Sequence, residues 1–346
     1  MLPTLEHLAV LSDSTGIIQH ANESVPNLST GYCTDDVSRA FMVVLARLRL
    51  MPRDEVAMQL ASTYLSFLEY AQLEDGRFHN FMSYTREWLD DVGTQDSCGR
   101  ALWSLGYGMR YAPTQAWRRL CRTLFERGLA AIDSFEFVHP RAYTLLGLSH
   151  AHAALRERRY VTALRFLGDS LLASFEGQRS DDWPWFTSVM TYDNGRLPEA
   201  LIRAGTALAE GGYLDAGLAT LAFYERVTLD TGIFVPIGNR GWYARGETRA
   251  IYAQQPLEAF SLIDVELAAY DATNDPQHFA NAEIGLAWYY GKNTRSETMA
   301  HGGGCYDGLD ERAINRNMGA ESTLALLAGA YAMGERHTRT QRAVNR

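Results

Sequence analysis

Six times along the chain, at intervals of roughly 45 to 65 residues, a short polar or glycine-rich phrase leads into a segment of small and apolar residues at helical spacing. The phrases are GYCTDDVSRAF from Gly31, GTQDSCGRALW from Gly93, FVHPRAYTLLG from Phe137, TYDNGRLPEALI from Thr191, YAQQPLEAFSL from Tyr252 and NMGAESTLALL from Asn317. Between them lie five more amphipathic stretches, 54–71, 113–131, 156–174, 211–230 and 275–291. A helix that touches neighbours on nearly every side needs small residues, and Gly99, Ala101, Gly106 and Gly108 in the second unit and Gly319, Ala320, Ala325, Ala328 and Ala330 in the sixth meet that demand. A helix with one wet face needs the amphipathic pattern. The spacing therefore predicts an all-α (α/α)6 toroid, a six-hairpin barrel whose inner helices aim the same end at one cavity. The missing sixth outer helix is supplied by PTLEHLAVL at 3–11, packed beside the last inner helix.

An open α-solenoid is the competing architecture, but its repeats keep a tighter period and short connectors. Here the connectors 74–94, 176–192, 231–253 and 292–317 are long and carry Gly, Trp, Tyr, Asp and Asn, the composition of a built site. No linker or low-complexity tract divides the 346 residues, so one domain spans 1–335 and the basic stretch 336–346 is expected to be a disordered tail.

A net charge of −9 without a basic stripe argues against nucleic acid as a partner. The absence of an eighteen-residue apolar run or a signal-like start argues against a membrane span and for a cytoplasmic chain. Four scattered cysteines fit a reducing compartment. Phosphate-cradling glycine loops, the G-x-S-x-G elbow and H-E-x-x-H are missing, so the sequence implies no cofactor and no metal.

With six inner helices sharing an orientation, their first residues form a collar: Asp35 and Asp36, Asp96, His139, Asp193, Gln254 and Gln255, and Glu321. Each Asp stands where an N-cap contributes about 1 kcal/mol with no catalytic role, so cap and catalyst are alternatives for each. Carboxylates converging in a partly dry cavity repel one another, which raises some of their pKa values toward those of a general acid. Asp36 or Asp96 is the expected acid, Glu321 the expected base and Asp193 the next candidate; Glu258, one turn into its helix, is expected deeper, orienting Gln254 or an arginine. Flat rings at Trp183, Trp185 and Trp242 suit the CH-rich face of a pyranose, and the kinked DDWPWF run at 181–186 reads as a loop over the cavity. Arg39, Arg77, His79, His139 and Gln255 offer hydrogen bonds for sugar hydroxyls. Two rival constellations are a zinc site of Cys33, Cys98 and Cys305 with Glu321, and two-base proton transfer drawn from His79, His139, His278 and His301.

The stretch LSDSTGIIQHANESVPNLSTGYCTDDVSRA from Leu11, with DGRFHNFM, QDSCGRALWSLG, YDNGRLPEALI, QQPLEA and GAEST further on, resembles a bacterial family of (α/α)6 glycosidase-like proteins often encoded with, or fused to, glycosyltransferases. The resemblance implies a toroid, a carbohydrate site and a glycosyltransferase as a possible partner. It places Asp13, Gln19, His20, Tyr32, Asp35, Asp36, Arg39, Asp75, Arg77, Asp96, Asp193, Gln255, Asp307 and Glu321 on motif positions, without individual roles. Residues and resemblance together predict an enzyme that cleaves a glycosidic bond in an oligosaccharide, by inversion with a carboxylate pair. Phosphorolysis, a sugar epimerase of the N-acylglucosamine 2-epimerase type and a non-catalytic carbohydrate-binding partner of a glycosyltransferase are the alternatives.

Overall fold

A computed structural model describes residues 2–229 and 231–344, with side chains as far as residue 338. The six phrases open six inner helices: α2 (Thr34–Leu50), α4 (Gln95–Tyr111), α6 (Val138–Leu155), α8 (Arg196–Leu208), α10 (Pro256–Thr273) and α12 (Ala320–Val344). Each packs on the next, and α12 returns to α2, closing a ring. The outer helices α3 (Glu55–Ala71), α5 (Gln115–Gly128), α7 (Arg158–Gln178), α9 (Gly211–Thr228) and α11 (Pro276–Trp288) pack on α2, α4, α6, α8 and α10 in turn. The short α1 (Glu6–Leu11) packs on α12, as the sequence predicts for the missing outer piece. Tyr331 donates to the Pro3 carbonyl at 3.0 Å and His7 Nε2 bonds the Met318 carbonyl at 2.7 Å, which ties the two ends of the chain together.

Small residues set how closely the inner helices approach. A Cβ at Gly106 of α4 would fall on the carbonyl oxygen of Gly147 in α6, so the two backbones touch there. The connectors before the inner helices pair into short antiparallel ribbons: Tyr32–Cys33 with Phe81–Met82, Val189–Met190 with Tyr243–Ala244, and Gly308–Leu309 with Ile314–Asn315. A bridge from Gln254 to Leu309 continues this rim, so the loops at the helix N-termini hold one another in place.

Helix α12 runs to Val344, because Arg336 pairs with Asp271 of α10 and His337 and Thr338 bond back to the carbonyls of Met333 and Gly334. Residues 345–346 lie outside the described residues, as does residue 230 in the fifth amphipathic stretch. None of the described helices is long and apolar enough to cross a membrane.

Candidate active site

The N-caps of α2 and α4 are not aspartates. Cys33 Sγ accepts from the Asp36 amide at 3.4 Å, and Thr94 Oγ1 accepts from Ser97 at 3.1 Å. Gly195 precedes α8 and provides no side-chain cap. Asp35, Asp96 and Asp193 are thereby released from capping, and their carboxylates turn to other partners.

Those partners form a charged belt inside the ring. Glu321 Oε2 lies 2.7 Å from Arg39 Nη1, which also meets Asp36 Oδ1 at 3.2 Å, while Arg39 Nη2 reaches Asp35 Oδ2 at 3.3 Å. Arg100 Nε and Asp35 Oδ1 sit 2.9 Å apart, without the alignment of a hydrogen bond. The same guanidinium holds Asp193 Oδ2 at 2.9 Å and the Tyr143 hydroxyl at 2.6 Å. Arg196 then links Asp193 to Glu199 and to Asp264 of α10, at 3.2, 2.6 and 2.8 Å. The belt thus passes from α12 through α2, α4 and α8 to α10.

Environment separates these carboxyls. Burial pushes Asp36 up to about 7; Arg39 opposes the shift, and the neighbouring Asp35 and Glu321 reinforce it. Burial likewise carries Glu258 to about 8, with Asp193 adding to it, and Asp307 to about 6, with Glu321 adding to it. Asp193 is equally buried, but Arg100, Arg196 and Arg39 outweigh desolvation and hold it below the usual range.

Two cavities open at this mouth. One, of about 270 Å3, is lined by Asp35, Asp36, Arg39, Gln255, Asp307 and Glu321, with Gln19, His20, Cys33, Asn80 and Phe81 completing its wall. The other, of about 590 Å3, is lined by Asp96, His139, Tyr192, Asn194 and one face of Trp185, among others. In it the Tyr192 hydroxyl donates to Asp96 Oδ2. His139 stacks on the Tyr192 ring at 4.4 Å and meets the Tyr192 carbonyl through Nε2 at 2.7 Å. A carbonyl only accepts, so Nε2 carries the proton; burial lowers the pKa of the ring, and the neutral imidazole keeps Nδ1 as an acceptor. A third cavity, of about 240 Å3, opens at the far ends of the inner helices between Arg49, Tyr107, Arg203 and Asp264; Arg49 and Arg203 there are paired with Glu335 and Glu199.

Three of the left-handed non-glycine residues lie at the mouth. Asp193, Trp242 and Ala253 adopt left-handed φ values of 50°, 58° and 60°. Glu258 is deep, as expected, but it orients neither Gln254 nor an arginine. Its carboxylate accepts the backbone N–H of Asp193 and, at 3.4 Å, that of Asn194, clamping the left-handed turn. Gln254 instead receives Trp288 Nε1 at 3.0 Å in the core.

Several expected contact residues lie elsewhere. Trp183 is 2% exposed and donates to the Thr187 carbonyl, packed against Phe223 and Tyr243, so DDWPWF folds inward because its indoles fill the space over α9. Trp185 is also buried, with one face on the larger cavity, and Trp242 is half-buried at 6.4 Å from Tyr192. Tyr32 is buried and donates to Asp13 at 2.6 Å, bracing the N-terminal segment outside both mouth cavities. Arg77 is exposed and closes on Asp75 in its own turn, and His79 stacks on Trp88 and bonds the Asp90 carbonyl. The cysteines are not gathered: among the described residues the one cluster with metal-ligand spacing is Glu225, Glu266 and His278. His278 accordingly sits on α11, away from the collar, and His301 is exposed on the short ribbon of Ala300–His301 with Gly304–Cys305. Sequence reasoning passed over Tyr143 and Tyr192, although Tyr192 abuts Asp193 and Tyr143 lies one turn beyond His139 on the same helix face.

No family model matches the chain, and no curated protein matches its sequence. Solved structures do match its fold. A cellobiose 2-epimerase from Bacillus thermoamylovorans superposes with a TM-score of 0.72 at 13% identity, covering 96% of both chains. A sugar epimerase from a ruminal bacterium gives 0.73 at 13% identity, covering 97% of this chain and 95% of that one. The GH76 alpha-mannanase of Bacteroides thetaiotaomicron gives 0.66 at 14% identity, covering 99% and 96%. The class is therefore that of the single-domain (α/α)6 barrels.

Proposed function

We propose that this protein is a carbohydrate-active enzyme that hydrolyses a glycosidic bond in the smaller mouth cavity, with Asp36 as the acid and Glu321 as its partner carboxylate. The observation that carries this reading is the contrast within one wall. Asp36 is buried and holds its proton to about 7, while Glu321 is one-third exposed and ion-paired to Arg39. Asp36 would protonate the leaving oxygen as the bond to the anomeric carbon breaks. Glu321 would meet the positive charge that develops there, either by attack or through water, and water supplies the hydroxyl of the product. Gln255, Asp307 and Asn80 are placed for sugar hydroxyls. The resemblance to glycosidase-like proteins and the likeness of fold to sugar-processing enzymes support the substrate class.

The expected inverting geometry is not favoured by this pair. The two oxygens share one Arg39 nitrogen at 3.2 and 2.7 Å, so they are separated by at most the sum, about 5.9 Å. That limit holds for the two facing oxygens and not for the carboxyl groups as wholes; it leans toward the ~5–5.5 Å of a retaining pair rather than the ~6.5–9.5 Å of an inverting one.

His139 supports a second reading, a sugar epimerase working in the larger cavity. A neutral imidazole with a free acceptor can take a proton from carbon, and Asp96 with Tyr192 could return one. Incubating the protein with a panel of reducing disaccharides in deuterated water separates the two. Release of monosaccharide, lost in Asp36→Asn, supports hydrolysis; deuterium at C2 without bond cleavage, lost in His139→Asn, replaces it with epimerisation.

A further inference from the structure

A second cluster of ligating groups sits where α9, α10 and α11 meet. Glu225 comes from α9, Glu266 from α10 and His278 from the first turn of α11. Glu266 lies eight residues beyond Glu258 on the same helix, roughly 12 Å farther from the collar along the axis. His278 Nδ1 lies 2.6 Å from Glu266 Oε2 and 3.4 Å from Glu225 Oε1, and one ligating atom from each of the three side chains falls within 4.8 Å of the others.

We propose that Glu225, Glu266 and His278 bind one divalent transition-metal ion of the zinc class, which clips the two outer helices to α10. Geometry supports this first. Zinc bonds to nitrogen and carboxylate oxygen of ~2.0–2.2 Å put tetrahedral ligand atoms roughly 3.2–3.6 Å apart. The Glu225 separation already has that value, and the Glu266 contact needs to open by less than about 1 Å, the difference between a hydrogen bond and two bonds to a shared ion.

The surroundings are built as a ligand-orienting shell. Asn281, 6% exposed, donates through Nδ2 to Glu225 Oε1 at 3.1 Å and to Glu266 Oε1 at 3.2 Å. Its own oxygen is fixed by Gln277 Nε2 at 2.9 Å. One amide thus positions both carboxylates, the arrangement that outer-shell partners provide around metal ligands.

Charge points the same way. Glu266 is fully buried, and among the described residues His278 is the one cation paired with either carboxylate. A divalent ion bound to neutral imidazole would balance both carboxylates in their ionised form. The side chains of Glu225 and His278 are 23% and 15% exposed, so an ion can enter from solvent and keep water as a fourth ligand.

The test uses the untagged full chain, stripped with chelator and titrated with ZnCl2 and CoCl2. One equivalent should bind, the melting temperature should rise with Zn2+, and Co2+ should give the visible bands of a low-symmetry nitrogen and oxygen site. His278→Gln and Glu225→Gln should each lose the bands and weaken Zn2+ binding at least tenfold, while MgCl2 leaves the melting temperature unchanged. Glu225→Gln alters a partly exposed side chain, so one variant remains informative if the other folds poorly. The proposal is overturned if wild type binds less than half an equivalent of Zn2+ at 100 μM free metal, or if Co2+ gives the same spectrum in both variants; the cluster is then an imidazolium ion pair only.

Discussion

Arg39 of α2 and Glu321 of α12 stand 282 positions apart in sequence and meet at 2.7 Å, which places the seam of the closed ring inside the candidate site. Arg39 also compensates Asp36 and shares Asp35 with Arg100, so its loss leaves the buried Asp36 carboxylate unpaired. Breaking a buried pair costs about 3–5 kcal/mol, and the share of the one-third-exposed Glu321 is discounted for solvent screening. Arg39→Met is therefore expected to lose about 3 kcal/mol at pH 8. Without Arg39 the Asp36 pKa rises further, so at pH 6 the group protonates and the loss is smaller. Urea unfolding at both pH values checks this, and an equal loss at both would contradict it.

Asp36 also predicts how stability depends on pH. Its carboxyl is held at about 7 in the folded protein against 3.8 for the ordinary group. Between those values the folded state binds the proton more tightly than the unfolded chain does. This group's contribution is therefore full below about 4, declines as pH rises through the window, and is gone above about 7. One proton allows a slope of at most ~1.4 kcal/mol per pH unit. Asp36→Asn should flatten the fall between pH 4 and 7, measured by chemical denaturation. Hydrolytic turnover, which needs the protonated acid, should decline above about pH 7.

The ring was legible in the sequence because its cause is periodic. An inner helix must be small on all sides and an outer one wet on one side, and that alternation survives without any copied motif. The collar was legible for a related reason: residues that open equivalent helices share a place in space. The direction of each side chain was not legible. Asp96 and Asp36 each follow a threonine by two residues at the start of an inner helix, yet one takes a tyrosine hydroxyl from the fourth inner unit and the other a shared arginine from its own turn. Trp183 and Trp185 bracket a proline in a polar run, and only the hollow over α9 shows that their indoles fold inward. The Glu225, Glu266 and His278 cluster draws on three helices with no spacing signature between them.

Glycines give a test of the inner ring that is independent of chemistry. Gly106→Ala places a methyl on the Gly147 carbonyl, backbone against backbone, so α4 and α6 must part. An overpacking cost of at least ~1–3 kcal/mol is expected. Gly177, near the end of α7, has open space around its Cβ position and a helical backbone. Gly177→Ala should stabilise by about 0.4–1 kcal/mol. Thermal melts of the two variants should move in opposite directions; similar shifts would mean that the close approach of α4 and α6 is not as described.

The stereochemistry of the reaction is decided by the same two carboxyls that close the ring. If Glu321 attacks the anomeric carbon, the leaving sugar departs, a covalent glycosyl intermediate forms, and the sugar freed when water cleaves that intermediate keeps its anomeric configuration. If Glu321 instead orients water, the configuration inverts. Its Oε2 and the Asp36 Oδ1 share one Arg39 nitrogen and so lie within about 5.9 Å of each other, which leans toward the retaining spacing, so retention is expected. Proton NMR of the first-formed product reads this within minutes, before mutarotation. Glu321→Gln should lower kcat by at least about 10³-fold with little change in melting temperature, because the amide still accepts from Arg39. Azide added to Glu321→Ala should restore turnover with an inverted glycosyl azide as product. An inverted product from wild type would remove Glu321 as nucleophile and shift the base to a carboxylate farther from Asp36, with Asp96 across the mouth the first to examine.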